Sequence, residues 1–180
     1  IQGYVDVTLL KGLTFRMTQG FTFGDNVSRS TYGRDSYTTV MANGDKTSAT
    51  ATSTHNYSWT NQNILSYVKE FNRNHRINAT AVFEQMYSDD FIHKTEAKGG
   101  LVSTIIGANN TALGDVMYAS GERTKTAMMS WMGRVNYVLM DRYMLTASWR
   151  YDGSSRFASG NKWGVFPSFS AGWRISEEAF

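Results

Sequence analysis

The stretch Arg142-Tyr143-Met144-Leu145-Thr146-Ala147-Ser148-Trp149-Arg150-Tyr151-Asp152 alternates with a period of two. Tyr143, Leu145, Ala147, Trp149 and Tyr151 fall on one side, and Thr146, Ser148, Arg150 and Asp152 on the other. Successive side chains of a strand point to opposite faces, so this is a strand with one apolar face. The same rule governs the flanking segments. From Met129 to Leu139 the odd positions hold Met129, Trp131, Gly133, Val135, Tyr137 and Leu139, while Ser130, Arg134 and Asn136 stand opposite. From Trp163 to Ile175 the odd set is Trp163, Val165, Pro167, Phe169, Ala171, Trp173 and Ile175.

Working outward, Leu13, Phe15, Met17, Phe21 and Phe23 oppose Thr14, Arg16, Thr18 and Thr22, and Ile77, Ala79, Ala81 and Phe83 oppose Asn78, Thr80 and Glu84. Further strands are expected at about Tyr4 to Leu10 and Tyr57 to Phe71, the latter weak at Asn61, Gln62 and Asn63. The connections alternate in length. Lys11-Gly12, Asn72-Arg73-Asn74 and Met140-Asp141 have the residue types of tight hairpin turns, whereas Asp25 to His55, Ile92 to Lys125 and Gly153 to Lys162 read as long polar loops. Short turns then lie at one end of the sheet and long loops at the other.

Composition narrows the function classes. The chain has 180 residues, 14% of them aromatic, a net charge of +3 and no cysteine. Disulfides, thiolate metal sites and cysteine nucleophiles are excluded. The Lys and Arg residues are scattered singly, which argues against nucleic acid as a partner. No run approaches the ~20 apolar residues of a membrane-spanning helix. A transmembrane strand is apolar only at alternate positions, so a mean hydropathy of −0.39 is compatible with a barrel. Strands of ten or more residues, aromatic at their ends (Tyr137 and Tyr143 beside one turn, Trp131, Trp149 and Tyr151 nearer the other rim), favour an all-β antiparallel up-and-down wall of a large transmembrane β-barrel. The alternatives are a soluble carbohydrate-binding β-sandwich, whose strands average ~5–6 residues, and a non-transporting barrel or adhesin.

The last third carries a sharper signal. Met132-Gly133-Arg134-Val135-Asn136-Tyr137, Asp141-Arg142-Tyr143-Met144-Leu145-Thr146-Ala147-Ser148, Arg150-Tyr151-Asp152-Gly153-Ser154-Ser155-Arg156-Phe157, Trp163-Gly164-Val165-Phe166-Pro167-Ser168 and Gly172-Trp173-Arg174-Ile175-Ser176-Glu177-Glu178 resemble the barrel segment of SusC/RagA-type TonB-linked outer-membrane transporters in content, order and spacing. Leu10-Lys11-Gly12-Leu13-Thr14-Phe15-Arg16 looks like an upstream hairpin of that family. The family-motif positions are Arg134, Asp141, Arg142, Asp152, Gly153, Ser154, Arg156, Pro167 and Arg174. The resemblance implies a barrel of about 22 strands closed around a plug, located in the bacterial outer membrane. It implies TonB-dependent import of oligosaccharide or peptide, a SusD-like surface lipoprotein and the TonB complex as partners, and contact with outer-membrane lipid. On that reading residues 1–180 are a partial barrel of about seven strands without plug or signal peptide, and no cofactor is implied.

Some motif residues have a local reading of their own. Asp141-Arg142 makes a polar turn; Asp152-Gly153-Ser154-Ser155 begins a connection, where Gly153 permits a positive φ and Asp or Ser can bond nearby backbone; Pro167 suggests a bulge or the loop-side end of the strand. Arg134, Arg150, Arg156 and Arg174 fall on or beside the polar face, either paired, with Asp152 for example, or solvated in a wet lumen. Tyr32, Tyr37, Trp59 and Tyr118 are the candidates for stacking on a sugar or holding a peptide, although loop aromatics also pack loops together.

Enzyme signatures are missing. His55, His75 and His93 read as isolated, Asp89-Asp90 as a solvated strand end before a loop, and Glu177-Glu178 as part of a turn rather than a catalytic pair. No nucleophile elbow, phosphate loop or dinucleotide fingerprint occurs.

Overall fold

The structure is a computed structural model that describes residues 1–33, 46–72, 74–100 and 109–178. The described residues form seven strands: β1 (Gln2–Leu10), β2 (Leu13–Tyr32), β3 (Ser48–Phe71), β4 (His75–Lys98), β5 (Val116–Leu139), β6 (Tyr143–Ser154) and β7 (Trp163–Trp173). They make one sheet in the order β1-β2-β3-β4-β5-β6-β7, every strand beside its sequence neighbour. β1 and β2 pair antiparallel, as do β5 and β6 and β6 and β7. Short 3-10 turns occur at Thr111–Leu113 and Ile175–Glu177. No helix among the described residues is long and apolar enough to cross a membrane, which says nothing of strands.

The expected strands are present, and four are much longer than expected. β2 continues to Tyr32, β3 begins at Ser48, β4 runs to Lys98 and β5 begins at Val116, so most of the segments read as loops at Asp25 to His55 and Ile92 to Lys125 are strand. Asp89-Asp90 accordingly sits inside β4 rather than before a loop. Ile175 belongs to the closing 3-10 turn and not to β7.

The chain divides into two compact units. The first comprises Ile1–Phe21, Ser58–Ser88 and Thr126–Phe180. Its pairing is regular: Leu139 with Tyr143, Val135 with Ala147 and Trp131 with Tyr151 across β5 and β6, then Leu145 with Ala171, Ala147 with Phe169 and Tyr151 with Val165 across β6 and β7. On β1 and β2, Val5 pairs with Met17 and Val7 with Phe15. Every one of these partners is odd-numbered. Apart from the shift that pairs Leu10 with Leu13 at the end of β1, these pairings keep odd with odd and even with even, so one face collects the apolar set and the other the polar set.

Turn chemistry fixes that register. Met140 and Asp141 both have φ near +55°, and the Arg142 amide donates to the Leu139 carbonyl at 3.0 Å, a two-residue hairpin of the primed type that suits strand twist. At Gly12 (φ +84°) a Cβ would lie 2.2 Å from the Val68 carbonyl oxygen, so only glycine fits.

Gly153 departs from the sequence reading. It is not a turn residue of positive φ but a buried position in β6, paired with Met129 on one side and Trp163 on the other. A Cβ there would lie 2.4 Å from the Trp163 ring, so the glycine makes room for an indole. Pro167 also corrects expectation. It pairs with Trp149 in unbroken register, within β7 and not at a bulge or end. The amide of Arg174 bonds to Arg142 and that of Ser154 to Lys162. Amides donate to a given neighbour at alternate residues, so those of even-numbered β7 residues face β6 and position 167 points the other way, where a missing donor costs the β6–β7 ladder nothing.

The second unit, Thr22–Tyr57 with Asp89–Lys125, contains the two hydrophobic residues that are buried among those described, Ala49 at 1% and Ala97 at 0% exposure. Gly114 lies against Ala97 so closely that a Cβ would be 2.7 Å from the alanine methyl.

Candidate functional site

In the first unit the odd face of β5, β6 and β7 is an apolar surface. Tyr143, Leu145, Trp149, Phe169 and Trp173 are all exposed, Phe169 at 82%. The sandwich alternative required these side chains to share a core between two sheets, so exposure overturns it. Exposed apolar surface on this scale is far beyond what water tolerates and matches what a bilayer covers.

The band has two aromatic edges. On the long-loop side Trp131 stands 5.3 Å from Phe83, 5.9 Å from Tyr151 and 5.6 Å from Trp163, ring centre to ring centre. Tyr151 and Trp163 are stacked at 4.8 Å. On the short-turn side the Tyr137 hydroxyl meets His75 Nδ1 at 2.6 Å, so His75 is not isolated. There too, Glu178 Oε1 accepts from the Tyr143 hydroxyl at 2.7 Å and from Trp173 Nε1 at 3.1 Å, while Oε2 accepts from Arg142 Nη1 at 3.1 Å. The Tyr143 and Trp173 hydrogen bonds, reinforced by Arg142, hold the Glu178 carboxyl below the usual glutamate range. A strand rises ~3.4 Å per residue, so the eight steps from Tyr143 to Tyr151 cover about 27 Å. A tilt of ~40° reduces this to about 20 Å of height, near the ~25 Å apolar band of outer-membrane barrels. The patch Gln19, Asn61 and Gln85 interrupts the odd face, Gln19 Nε2 donating to Asn61 Oδ1 at 2.7 Å and Asn61 Nδ2 to Gln85 Oε1 at 3.5 Å.

The even face is polar and internally paired. Arg16 forms a bidentate contact with Asp6 at 2.6 and 2.7 Å, Thr146 donates to Asn136 at 2.9 Å, and Arg150 reaches both oxygens of Asp152 at 3.2 Å. At the short turn Arg76 bonds to Asp141. Arg134 stands on this face between Ser148, its partner in the register, and solvent. Ser154 Oγ accepts from the Arg156 amide and thereby orders the start of the β6–β7 connection.

The second unit gathers polar residues that sequence spacing left apart. His55 Nδ1 lies 2.6 Å from Asp25 Oδ1 and its Nε2 3.1 Å from Ser53 Oγ, so His55, expected to be alone, is tied across strands to a carboxylate 30 residues away. The chain of three resembles a hydrolase relay in composition. Ser53 and His55 lie in β3 and Asp25 in β2, so the contact is one between the two strands. Asp89, read as solvated, accepts Arg123 Nε and Nη2, both at 2.8 Å, and Asp90 accepts from Asn56 at 3.1 Å. A cavity of ≈ 410 Å³ opens here between Phe23, Tyr57, Phe91 and these charges. Lys94 bonds Glu96 at 2.7 Å and holds its carboxyl below the usual range. No group of three or more potential metal ligands occurs among the described residues.

Of the four aromatic binding candidates, Tyr32 is the last residue of β2 and Tyr118 lies near the start of β5, both exposed and both even-numbered. Trp59 is in β3 at an odd position and lines a recess with Trp163. Tyr37 lies outside the described residues. Sequence reasoning missed Glu178 as a clamp. The clue would have been a carboxylate five residues after a strand that ends in an aromatic, near a turn arginine.

Residues 3–179 match the family model described as TonB dependent receptor-like, beta-barrel. The TonB-dependent receptor P39 of Formosa agariphila is 31% identical over 185 residues, covering 100% of this chain and 17% of that protein. The TonB-dependent receptor SusC of Bacteroides thetaiotaomicron is 51% identical over 57 residues, 32% of this chain and 6% of the receptor. A solved structure of the RagAB peptide transporter superposes with a TM-score of 0.81 over 94% of this chain and 19% of that one, at 20% identity, a likeness of fold. The chain thus spans less than a fifth of the length of these relatives.

Proposed function

The chain belongs to the TonB dependent receptor-like β-barrel family, and from that premise we propose that residues 1–180 are a segment of barrel wall in a transporter that imports oligosaccharides or peptides across the bacterial outer membrane. TonB supplies the energy and a SusD-like surface lipoprotein shares the capture of the ligand. The observation that carries this reading is the parity-preserving register of β5, β6 and β7, which supports a wall with one face for lipid and one for a wet lumen. The names of the similar proteins, SusC and a RagAB peptide transporter, support import of a large nutrient. Within this wall, Tyr32 and Tyr118 are the aromatics we assign to ligand contact, because their even positions continue the parity of the polar face and both are exposed.

The test is uptake by cells carrying or lacking the full-length gene. Loss of uptake of a labelled oligosaccharide or peptide on deletion, with the same loss when TonB is removed, is expected; uptake of both classes unchanged by either deletion contradicts the proposal. Purification of the tagged full-length protein is expected to bring down a surface lipoprotein in stoichiometric amount.

A further inference from the structure

We propose that the second unit carries a binding site for a neutral saccharide, built from the Phe23 ring and the Asp25–His55 and Asp89–Arg123 pairs around the cavity of ≈ 410 Å³. Two rows of side chains cross four neighbouring strands there. In one, Asp25 of β2 is bonded to His55 of β3 at 2.6 Å, and the His55 ring is stacked on Phe91 of β4 with centres 6.5 Å apart at 22°. In the other, Phe23 of β2 lies 5.2 Å from Tyr57 of β3, and Asp89 of β4 accepts from both Nε and Nη2 of Arg123 in β5 at 2.8 Å. Rings and polar groups are thus interleaved around one hollow, whose volume falls in the range of about 300–1,000 Å³ usual for small-molecule sites.

The chemistry of the hollow selects its ligand. The carboxylates of Asp25 and Asp89 are matched by Arg123 and by Lys125, 3.9 Å from Asp89, so no excess charge singles out an ion. No group of three or more potential metal ligands occurs among the described residues. β3 lies between β2 and β4, and β4 between β3 and β5, so their backbone groups are engaged in the ladder and an extended peptide finds no main-chain partner on this floor. Recognition falls to side chains, which suits a ring rich in hydroxyls. Asp25 gives Oδ1 to His55 and keeps Oδ2 for a hydroxyl donor, a charge-assisted bond. Phe23, 72% exposed, presents a ring face whose negative quadrupole takes the C–H side of a pyranose. The ion pairs hold the polar groups in place beforehand, so little side-chain freedom is lost on binding.

Each of these site residues is odd-numbered, whereas Tyr32 and Tyr118 are even, so the alternation puts the two sets on opposite faces. Two sources offer the saccharide: an oligosaccharide on its way to import, which rests on the import reading, and the glycan of outer-membrane lipopolysaccharide, which does not.

The experiment titrates the full-length protein, held in a detergent without a sugar head group, with neutral oligosaccharides of glucose, mannose, galactose and xylose, and in a second arm with the lipid-free glycan released from the organism's own lipopolysaccharide. Asp25→Asn is expected to weaken binding about tenfold and Phe23→Leu about fivefold, while Ser168→Ala leaves it unchanged. Such losses in the first arm alone assign the site to imported sugar, and in the second alone to the cell's own surface glycan. Binding in neither arm, or equal binding by wild type, Asp25→Asn and Phe23→Leu, overturns the site, as does its occupation by members of a mixed peptide library in preference to sugar. Binding that falls in Tyr32→Ala or Tyr118→Ala and not in Phe23→Leu also overturns it and leaves the import reading intact. Should Asp25→Asn fail to assemble, Phe23→Leu, at an exposed position, still decides.

Discussion

The Trp163 indole lies directly on the backbone of Gly153, its partner in the register, with ring atoms 2.4 Å from where a Cβ would project. The ring is held in that place by stacking on Tyr151 at 4.8 Å and by Trp131 at 5.6 Å. Small residue and large ring together keep the aromatic edge flat against the wall. Gly153→Val must displace the indole, and overpacking of this kind costs about 1–3 kcal/mol. Gly153→Ala, with less to accommodate, is expected to cost less. Urea unfolding of the full-length protein in lipid, followed by tryptophan fluorescence, checks the order; no difference between either variant and wild type would refute the packing.

The two faces differ in what they tolerate. Phe169→Arg places a charge on the bilayer side between the aromatic edges and is expected to destabilise by ~2–4 kcal/mol, whereas Ser168→Arg, one residue away on the polar face, should change stability by about 0.5 kcal/mol or less. The levels of each variant in the outer membrane and its unfolding midpoint report this directly.

At the short turn, Met140 occupies the left-handed region at φ 54° without being glycine or asparagine. Such a conformation costs roughly 1–2 kcal/mol for an ordinary side chain. Met140→Asn, a residue that favours this geometry at the first position of a primed turn, is expected to recover about 1 kcal/mol. A fall in the unfolding midpoint would show that Met140 makes contacts worth more than the strain.

Acid is expected to loosen the rim through Glu178. Its pKa is lower in the folded protein than in the unfolded chain, so the stabilisation is complete above the ordinary glutamate range and is lost as pH falls through the depressed folded value. The unfolding temperature should therefore hold level from neutral into mildly acidic solution and drop only below it. Glu178→Gln should lower the plateau and flatten that acid limb; an identical pH profile for variant and wild type would show that the clamp is not coupled to stability.

How much of this was legible in the sequence depended on whether one face meets lipid. β6 and β7 lie between apolar and polar surroundings, so Leu145, Trp149 and Phe169 wrote a period of two into the sequence. The far ends of β2 to β5 carry polar residues on both faces, such as Asp25 and Asn26 or Asp89 and Asp90, and without contrast between faces they read as loops. Pairings such as Asp25 with His55 arise from register between strands and have no local signature. Gly153 was misread because glycine more often signals a turn than the footprint of a ring on the next strand.

The central claim, that odd residues face lipid and even residues face a wet lumen, is tested most directly by cysteine scanning, since this chain contains no cysteine of its own. Single cysteines placed from Leu145 to Tyr151 on a cysteine-free background of the full-length protein, spin-labelled in native outer membrane, would be read for collision with oxygen and with a water-soluble nickel complex. The account predicts strict alternation, odd positions favouring oxygen and even positions favouring nickel. Equal exposure to nickel along both sets, or protection of the odd set from both reagents as in a protein core, would contradict it.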